Sequence, residues 1–525
     1  MTTQANSPID TLAAAMMAPG LYPQVTTVDR LETHISYVFL AGEYAYKIKK
    51  PLNLGFLDFS ELSRRRYFCE EEVRLNRRLA PDIYLDCIPI CGSAENPQIG
   101  GDAQDAIEWA VRMRRFRQED LLDRVLADGR LQPRHIDAIG RRLAQFHAGI
   151  AVAGDDSAFG TPQSAADPAL ENFRHSRELL PAAQDQAALD RLETWTRAEL
   201  ERIQPALRRR KAEGRIRECH GDLHLGNMIL AGDEVTIFDC IEFNDAFRWI
   251  DVTADLAFVL MDLEQRGAPA YAHRLLNVWL EFSGDYDALE VLPFYLVYRA
   301  MVRAKVAGIR LAQPGHSPQA AAALLAEARE YLALAQRFTA PRPPFLLITH
   351  GVSGSGKSTL TGVLLEAFAA IRLRSDVVRK RLFGLGPLDD SHSAVAGGIY
   401  TAEASTLTYE RMLELAARLL GLGYPVLVDA TFPQDWQRTP FRELAAECNV
   451  PFVLLACTAD PQTLRERVAA RHASGHDAAE ADLAVLEQQL AHYVAPAASE
   501  QALEGSGLSA EALTAAVRAR IEGAE

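Results

Sequence analysis

Phe345-Leu-Leu-Ile-Thr-His-Gly-Val-Ser-Gly-Ser-Gly-Lys-Ser-Thr359 joins an apolar run, a glycine loop and a helix start in fifteen residues. Phe345 to Ile348 reads as a short buried strand. It opens into Gly351-x-x-x-x-Gly356-Lys357-Ser358, the full Walker A pattern. Leu360 to Ala370 follows with apolar residues at helical spacing and no proline. Glycines let successive backbone N–H groups curl toward one point. The next helix aims its positive end there too. Lys357 adds a mobile charge for β- and γ-phosphates, and the Ser358 hydroxyl is placed for Mg²⁺. Gly351, Val352, Ser353, Gly354, Ser355, Gly356, Lys357, Ser358 and Thr359 are therefore the candidate nucleoside-triphosphate cradle.

Downstream, the pattern is that of a doubly wound parallel sheet. Ile371 to Leu373 reads as a strand ending in Arg374-Ser375-Asp376, with Arg379 one turn on. Ligands of open α/β sheets bind at the carboxyl ends of strands. Asp376 could there take the proton of an acceptor hydroxyl, and Arg379 could hold an anionic acceptor. The plainer alternative is a capping aspartate and a surface arginine. Pro425 to Val428 is a second buried strand ending in Asp429, placed to hold Mg²⁺ through water. Phe452 to Cys457 is a third. Asp460 then caps a helix carrying Arg465, Arg467 and Arg471, which leads to the polar Ala473–Glu480 stretch. Arginines beside a polar loop suit a lid over a transferring phosphoryl group, or an ordinary helix surface.

Upstream, Pro341-Arg-Pro-Pro344 reads as a linker. Helices fill most of Ile250 to Phe338. Before them stands His220-Gly-Asp-Leu-His-Leu-Gly-Asn227, followed by two short strands and a turn at Gly232-Asp233. Asp222 and Asn227 have the D-x-x-x-x-N spacing of a kinase catalytic loop, and Asp239 follows where kinases place a second metal-binding aspartate. Further upstream, Tyr37–Leu40 and Tyr44–Ile48 read as paired strands, Ser60–Arg78 as a helix, and Tyr84–Ile90 and Ile107–Met113 as more strands. Gly154 to Pro168 reads as a loop.

The 220–227 segment resembles the signature of the aminoglycoside-phosphotransferase family, a branch of the protein-kinase-like fold, and the resemblance runs over roughly Val38 to Arg303. It implies Asp222 as catalytic base and Asn227 and Asp239 as Mg²⁺ ligands. It also implies Lys47 as the contact to the α- and β-phosphates, paired with Glu72, and Asp251 and Asp255 as structural aspartates. Glu70 and Glu71 compete with Glu72 on spacing alone. Two departures stand out: no G-x-G-x-x-G loop precedes Lys47, and Cys240 follows Asp239 where the kinase motif has Phe-Gly. Residues 345–525 resemble P-loop kinases of small metabolites and of polynucleotide 5′ ends; AAA-type ATPases are the weaker comparison. The combination resembles a bacterial family of fused aminoglycoside-phosphotransferase-like and ATP-binding proteins.

The whole chain sets bounds on these readings. Its 525 residues exceed one ordinary core. The expected division is a kinase-like domain over 1–338, with a sheet lobe near 20–115 and a helical lobe near 116–338, then a linker at 339–344 and a P-loop domain at 345–525. A net charge of −15 argues against a broad nucleic-acid surface. Seven scattered cysteines without a C-x-x-C pair indicate neither a disulfide framework nor a zinc site. No apolar run approaches membrane-spanning length, and the reading is cytoplasmic. The expectation is an ATP- and Mg²⁺-dependent phosphotransferase with two nucleotide sites and a small-molecule acceptor. Two alternatives stay open: a regulatory kinase-like half, and a P-loop half acting on nucleic-acid 5′ ends.

Overall fold

The computed structural model describes residues 7–55, 57–393, 397–474 and 478–523, with backbone alone for 472–474. By contact density the chain divides into unit 1 (Met1–Ala138, Phe146–Pro168, Gln204–Asp262) and unit 2 (Ile139–Gln145, Ala169–Ile203, Leu263–Glu525).

Unit 1 is built on an antiparallel sheet of β1 (Val28–Glu32), β2 (Ser36–Ala41), β3 (Tyr44–Lys49), β4 (Tyr84–Gly92), β5 (Pro97–Ile99) and β6 (Glu108–Arg114). The strand order is β1-β2-β3-β6-β4-β5. The β2–β3 hairpin closes on Gly42-Glu43, with Gly42 at φ +59°. That left-handed conformation is one glycine adopts without steric cost. The helix Leu62–Asn76 buries Cys69 and Val73 against Ala45, Trp109 and Val111 of the sheet. Alongside lie the pair β7 (Ile216–Glu218) and β10 (Trp249–Asp251), and the hairpin β8 (Met228–Ala231) and β9 (Glu234–Ile237). The helix Val252–Gln265 completes this part.

Unit 2 holds a five-stranded sheet of β11 (Leu346–His350), β12 (Ile371–Arg374), β13 (Val426–Asp429), β14 (Phe452–Ala456) and β15 (Leu503–Glu504). The order is β12-β13-β11-β14-β15, and every pairing is parallel. β11 and β13 are buried along their whole length, as parallel strands covered on both faces should be. Their run of Val, Leu and Ile follows from that. Leu364, Leu365, Leu513 and Val517 pack onto Leu347, Leu427 and Leu455. The helices Pro269–Ser283, Ala288–Leu311 and Pro318–Thr339 also belong to this unit.

Gly154–Pro168 departs from the loop reading, because the helix Pro162–Leu179 begins inside it. Pro162 stands in its first turn, where proline loses no helical hydrogen bond, and Thr161 Oγ1 accepts the Ser164 N–H at 3.1 Å. Arg65 and Arg210, each within a run of basic residues in the sequence, are buried. Arg65 pairs with Glu108, and Arg210 with Asp251 at 2.7 and 2.8 Å. Among the described residues, no helix is long and apolar enough to cross a membrane.

Candidate active sites

In unit 1, β3 carries Lys47 and Lys49 two residues apart, so both side chains leave the same face of the sheet. Lys47 Nζ donates to Glu72 Oε1 at 2.7 Å and to Asp239 Oδ1 at 3.0 Å. Lys49 Nζ donates to the other Glu72 oxygen at 2.6 Å and to Glu242. Burial alone would raise the Glu72 carboxyl, but Lys47 and Lys49 together hold it down at about 2. Burial likewise opposes the Lys47 charge, and Asp239 and Glu72 overcome it, holding the ammonium well above the ordinary lysine range. Glu70 and Glu71 are spent elsewhere, on Arg66 and Arg74.

The 220–227 loop is held from below. Asp255 accepts the N–H groups of His220 and Gly221 at 3.1 and 2.9 Å, and contacts His147 Nε2 at 3.2 Å. Burial raises the Asp255 carboxyl, but His147, His220 and the Gly221 N–H bring it down to about 2. Asp262 accepts the Leu225 N–H at 2.9 Å. Within the loop, Asn227 Nδ2 donates to the Asp222 carbonyl at 2.9 Å and to Asp222 Oδ2 at 3.1 Å. The Phe238 N–H donates to the Asn227 carbonyl at 2.9 Å, and the Ile241 N–H to the His220 carbonyl at 3.0 Å. The hairpin thus brings the Asp222 loop beside Asp239, and Asp239 to Lys47. Asp239 sits at φ +65°, a region that a non-glycine residue enters at a cost of about 1 kcal/mol or more. Where a glycine loop was missing, the β1–β2 turn is Thr33-His34-Ile35, closed by Thr33 Oγ1 accepting the Ser36 N–H at 3.0 Å. His224 contacts Asp222 Oδ2 at 3.4 Å and its ring packs edge-on against Phe258.

In unit 2 the glycine loop joins β11 to the helix Lys357–Phe368. Gly351, Gly354 and Gly356 stand at φ +150°, +81° and +96°. A Cβ on Gly351 would lie 2.2 Å from the Cys457 carbonyl oxygen, so the loop passes too close to β14 for any side chain. Lys357 Nζ donates to the Val352 carbonyl at 2.8 Å. Burial pulls the Lys357 ammonium below the ordinary lysine value, against the attraction of Asp429. Asp429 is buried at the end of β13 and faces Thr361 Oγ1 at 3.4 Å. Ser355 Oγ is buried with no hydrogen-bond partner among the described residues. A cavity of about 530 Å³ opens over Gly354–Leu360 and is walled by Thr458, Arg467, Arg471 and Ser506. Arg467 Nη1 donates to the Gly354 carbonyl at 3.3 Å, and Arg471 Nη2 to the Ala481 carbonyl at 3.2 Å.

Asp376 lies in the first turn of the helix Ser375–Leu382, near enough to act electrostatically on Lys357 and Tyr400. Arg379 is buried. Its Nη1 donates to the Ile399 carbonyl at 3.0 Å and to Ser405 Oγ at 3.3 Å, its Nε has no hydrogen-bond partner among the described residues, and its guanidinium lies 5.1 Å from the Tyr400 ring centroid. Of the Ala473–Glu480 stretch, residues 475–477 lie outside the described residues. Its end is ordered by Glu480, which accepts from Lys380 at 2.9 Å and Tyr400 at 3.2 Å.

The model of the Phosphotransferase enzyme family matches residues 62–292, and an AAA domain model matches 346–496. Uncharacterized proteins of Mycobacterium tuberculosis and Mycobacterium bovis are each 31% identical over 457 residues, covering 87% of this chain and 89% of the relative. This chain belongs to their family. This chain carries a phosphotransferase-type segment and a P-loop segment in one polypeptide, and it is a kinase. Partial likenesses exist to solved structures. The amicoumacin kinase in complex with AMP-PNP, Ca²⁺ and Ami is 14% identical, covers 63% of this chain and 94% of its own, and gives a TM-score of 0.38. A gluconokinase from Sinorhizobium meliloti is 21% identical, covers 35% and 93%, and gives 0.24. At such scores these likenesses carry no argument about the family member described here.

Three contributions to the sites had no signal in the sequence reading. Lys49 looked like any lysine near a strand end, yet it is fully buried with Glu242. Gln489 accepts the Ser353 N–H of the glycine loop at 2.7 Å from more than a hundred residues away. Leu486 of the same helix packs with Val352, Leu464 and Val468 under that loop. An amphipathic stretch predicts that some face is buried; it does not name the partner.

Proposed function

We propose that the chain carries two separate Mg·ATP sites and that each moves a γ-phosphoryl group to a hydroxyl of a small-molecule acceptor. The carrying observation is Lys47 held between Glu72 and Asp239, beside the Asp222–Asn227 loop. An ammonium pinned at that spot is pre-positioned for the α- and β-phosphates. Asp222 orients the acceptor hydroxyl and takes its proton. Among the described residues, the Asn227 side chain spends only its amide nitrogen in the loop, and Asp239 only Oδ1 on Lys47. Their remaining oxygens are hard donors that fit a magnesium ion. In the P-loop half, Ser358 and Asp429 fit the same kind of ion, and Ser355 Oγ and the amides of Gly354 and of Gly356 to Thr359 offer donors to phosphate. Magnesium, when bound, neutralises charge on the transferring phosphoryl group. Asp376 serves as base there, and Arg379, buried with neutral partners, holds an anionic acceptor. Arg467 and Arg471 close over the phosphates.

The functional halves are taken as 1–338 and 345–525, joined at 339–344. The test is ATP consumption by the full chain and by Lys47→Ala, Asp222→Ala and Lys357→Ala variants. It runs alongside a mass-spectrometric screen of a metabolite pool for products gaining one phosphoryl group. Loss of one product with Asp222→Ala and of another with Lys357→Ala is expected. If all three variants consumed ATP like the parent, the two-site reading would fall.

A further inference from the structure

We propose that Asn277 and Glu281, on the helix Pro269–Ser283, are positioning residues of the P-loop reaction. The proposal rests on the reading of that half as a phosphotransferase. Both lie inside the 62–292 phosphotransferase match and outside the 346–496 match, so neither would be sought in a P-loop segment.

β12 is the edge strand of the parallel sheet, and its inner side pairs with β13. On its outer side stand the Ala370 carbonyl and the Arg372 N–H. Asn277 Nδ2 donates to that carbonyl at 2.9 Å, and Asn277 Oδ1 accepts that N–H at 2.7 Å. One residue's carboxamide thereby makes both bonds that a further parallel strand would make on either side of Ile371. Asn277 is buried and its Nδ2 also donates to the His273 carbonyl at 2.9 Å, so the amide is fixed from its own helix. One turn on, Glu281 accepts from Arg372 at 2.8 Å and lies 3.6 Å from Arg374.

These contacts lead to the chemistry by two routes. Arg372 Nη1 donates to the Ser358 carbonyl at 3.2 Å, at the start of the helix that follows the glycine loop. Arg374 ends β12, in register with Asp429, and Asp376 follows two residues later. Glu281 therefore does two things. It orients the strand end that carries the acceptor base, and it neutralises two arginines of the strand that ends in register with Asp429 and runs on to Asp376. Without the Glu281 charge, those arginines pair with the site carboxylates and take the base out of action, while the backbone cradle for phosphate stays intact.

The experiment isolates the P-loop site in full-length Asp222→Asn protein, using Mg·ATP with water as acceptor and release of ADP as readout. Glu281→Gln is expected to lower kcat about tenfold with KM for ATP changed less than twofold. Glu281→Asp should restore most of the rate, because the carboxylate is kept. Asn277→Leu should show the same split; if it fails to fold, Glu281→Gln decides alone. Unchanged kcat in Glu281→Gln overturns the proposal. So does a fall in ATP affinity and melting temperature matching the fall in kcat, since that marks a merely structural role. Adding Lys357→Ala to Asp222→Asn must abolish the signal; if it does not, the P-loop reading itself fails, whatever Glu281→Gln does.

Discussion

Lys47 binds two carboxylates at once, and only one of its two partners has a second lysine to fall back on. In Lys47→Ala, Glu72 keeps Lys49, so the fold should persist, whereas Asp239 loses its ion pair. Removing a preorganised cation from a phosphoryl-transfer site costs about a hundredfold or more in rate. ATP consumption assigned to the Asp222 site should fall by that much, with the melting curve close to the parent's. Proton linkage gives a second expectation. Glu72 and Asp255 sit at about 2 in the folded chain, below their ordinary values of 4.5 and 3.8. A depressed acid stabilises the folded state above its unfolded value and loses that contribution as pH falls through the folded one. Melting temperature followed from pH 6 to pH 2 should therefore hold down to about 4.5 and then drop toward 2, with a shallower drop in Asp255→Asn. At this scale the sequence named Asp222, Asn227 and Asp239 because their spacing is a motif, and Lys47 only through the family resemblance. Among Glu70, Glu71 and Glu72, spacing was silent, and only the helix's rotation against the sheet singled out Glu72. Nor could spacing show the left-handed backbone at Asp239.

The glycine loop is pressed from both sides, and that makes it sensitive as an element. Gly354 stands at φ +81°, where a Cβ would come 3.0 Å from the Leu464 carbonyl oxygen and 3.1 Å from Val468. Gly354→Ala should cost about 1–3 kcal/mol of local strain and weaken nucleotide binding at this site, measured by calorimetry, with the Asp222 site untouched. Leu486→Ala attacks the same loop from the helix Leu483–Ala491 behind it. Truncating a fully buried leucine costs about 2–5 kcal/mol, and here the loss loosens Val352 inside the loop. The order strand, loop, helix was plain from residues 345–370, because parallel strands advertise themselves as unbroken apolar runs. β15, two residues long, offers no such run. The helix from Pro162 was hidden by prolines that mark a loop by composition but suit a first turn by geometry.

At the scale of the molecule, Pro341–Pro344 reads as a natural place to cut, and the contacts within unit 2 say what a cut there would cost. It would remove the helix Pro269–Ser283, leaving the Ala370 carbonyl, the Arg372 N–H and two arginines without the partners they have now. Exchanging each such hydrogen bond for one to water costs about 0.5–1.5 kcal/mol. A fragment beginning at residue 341 should melt well below the intact chain, as differential scanning calorimetry would show; equal stability would mean that the edge strand is content alone. The break between the helix Pro318–Thr339 and β11 was legible from its prolines. That a helix upstream of it finishes the downstream sheet was not, because a single asparagine standing in for a strand leaves no pattern in the sequence.

That substitution of side chain for strand has a bearing on how the protein behaves in concentrated solution. An open sheet has two rims, each a template for a neighbour's backbone and so for fibrils. Here one rim is two residues long and the other is occupied by Asn277, with Glu281 pairing Arg372 and Arg374 next to it. The chain thus carries its own guard against polymerising through its sheet, and the guard is only as durable as the seating of one amide.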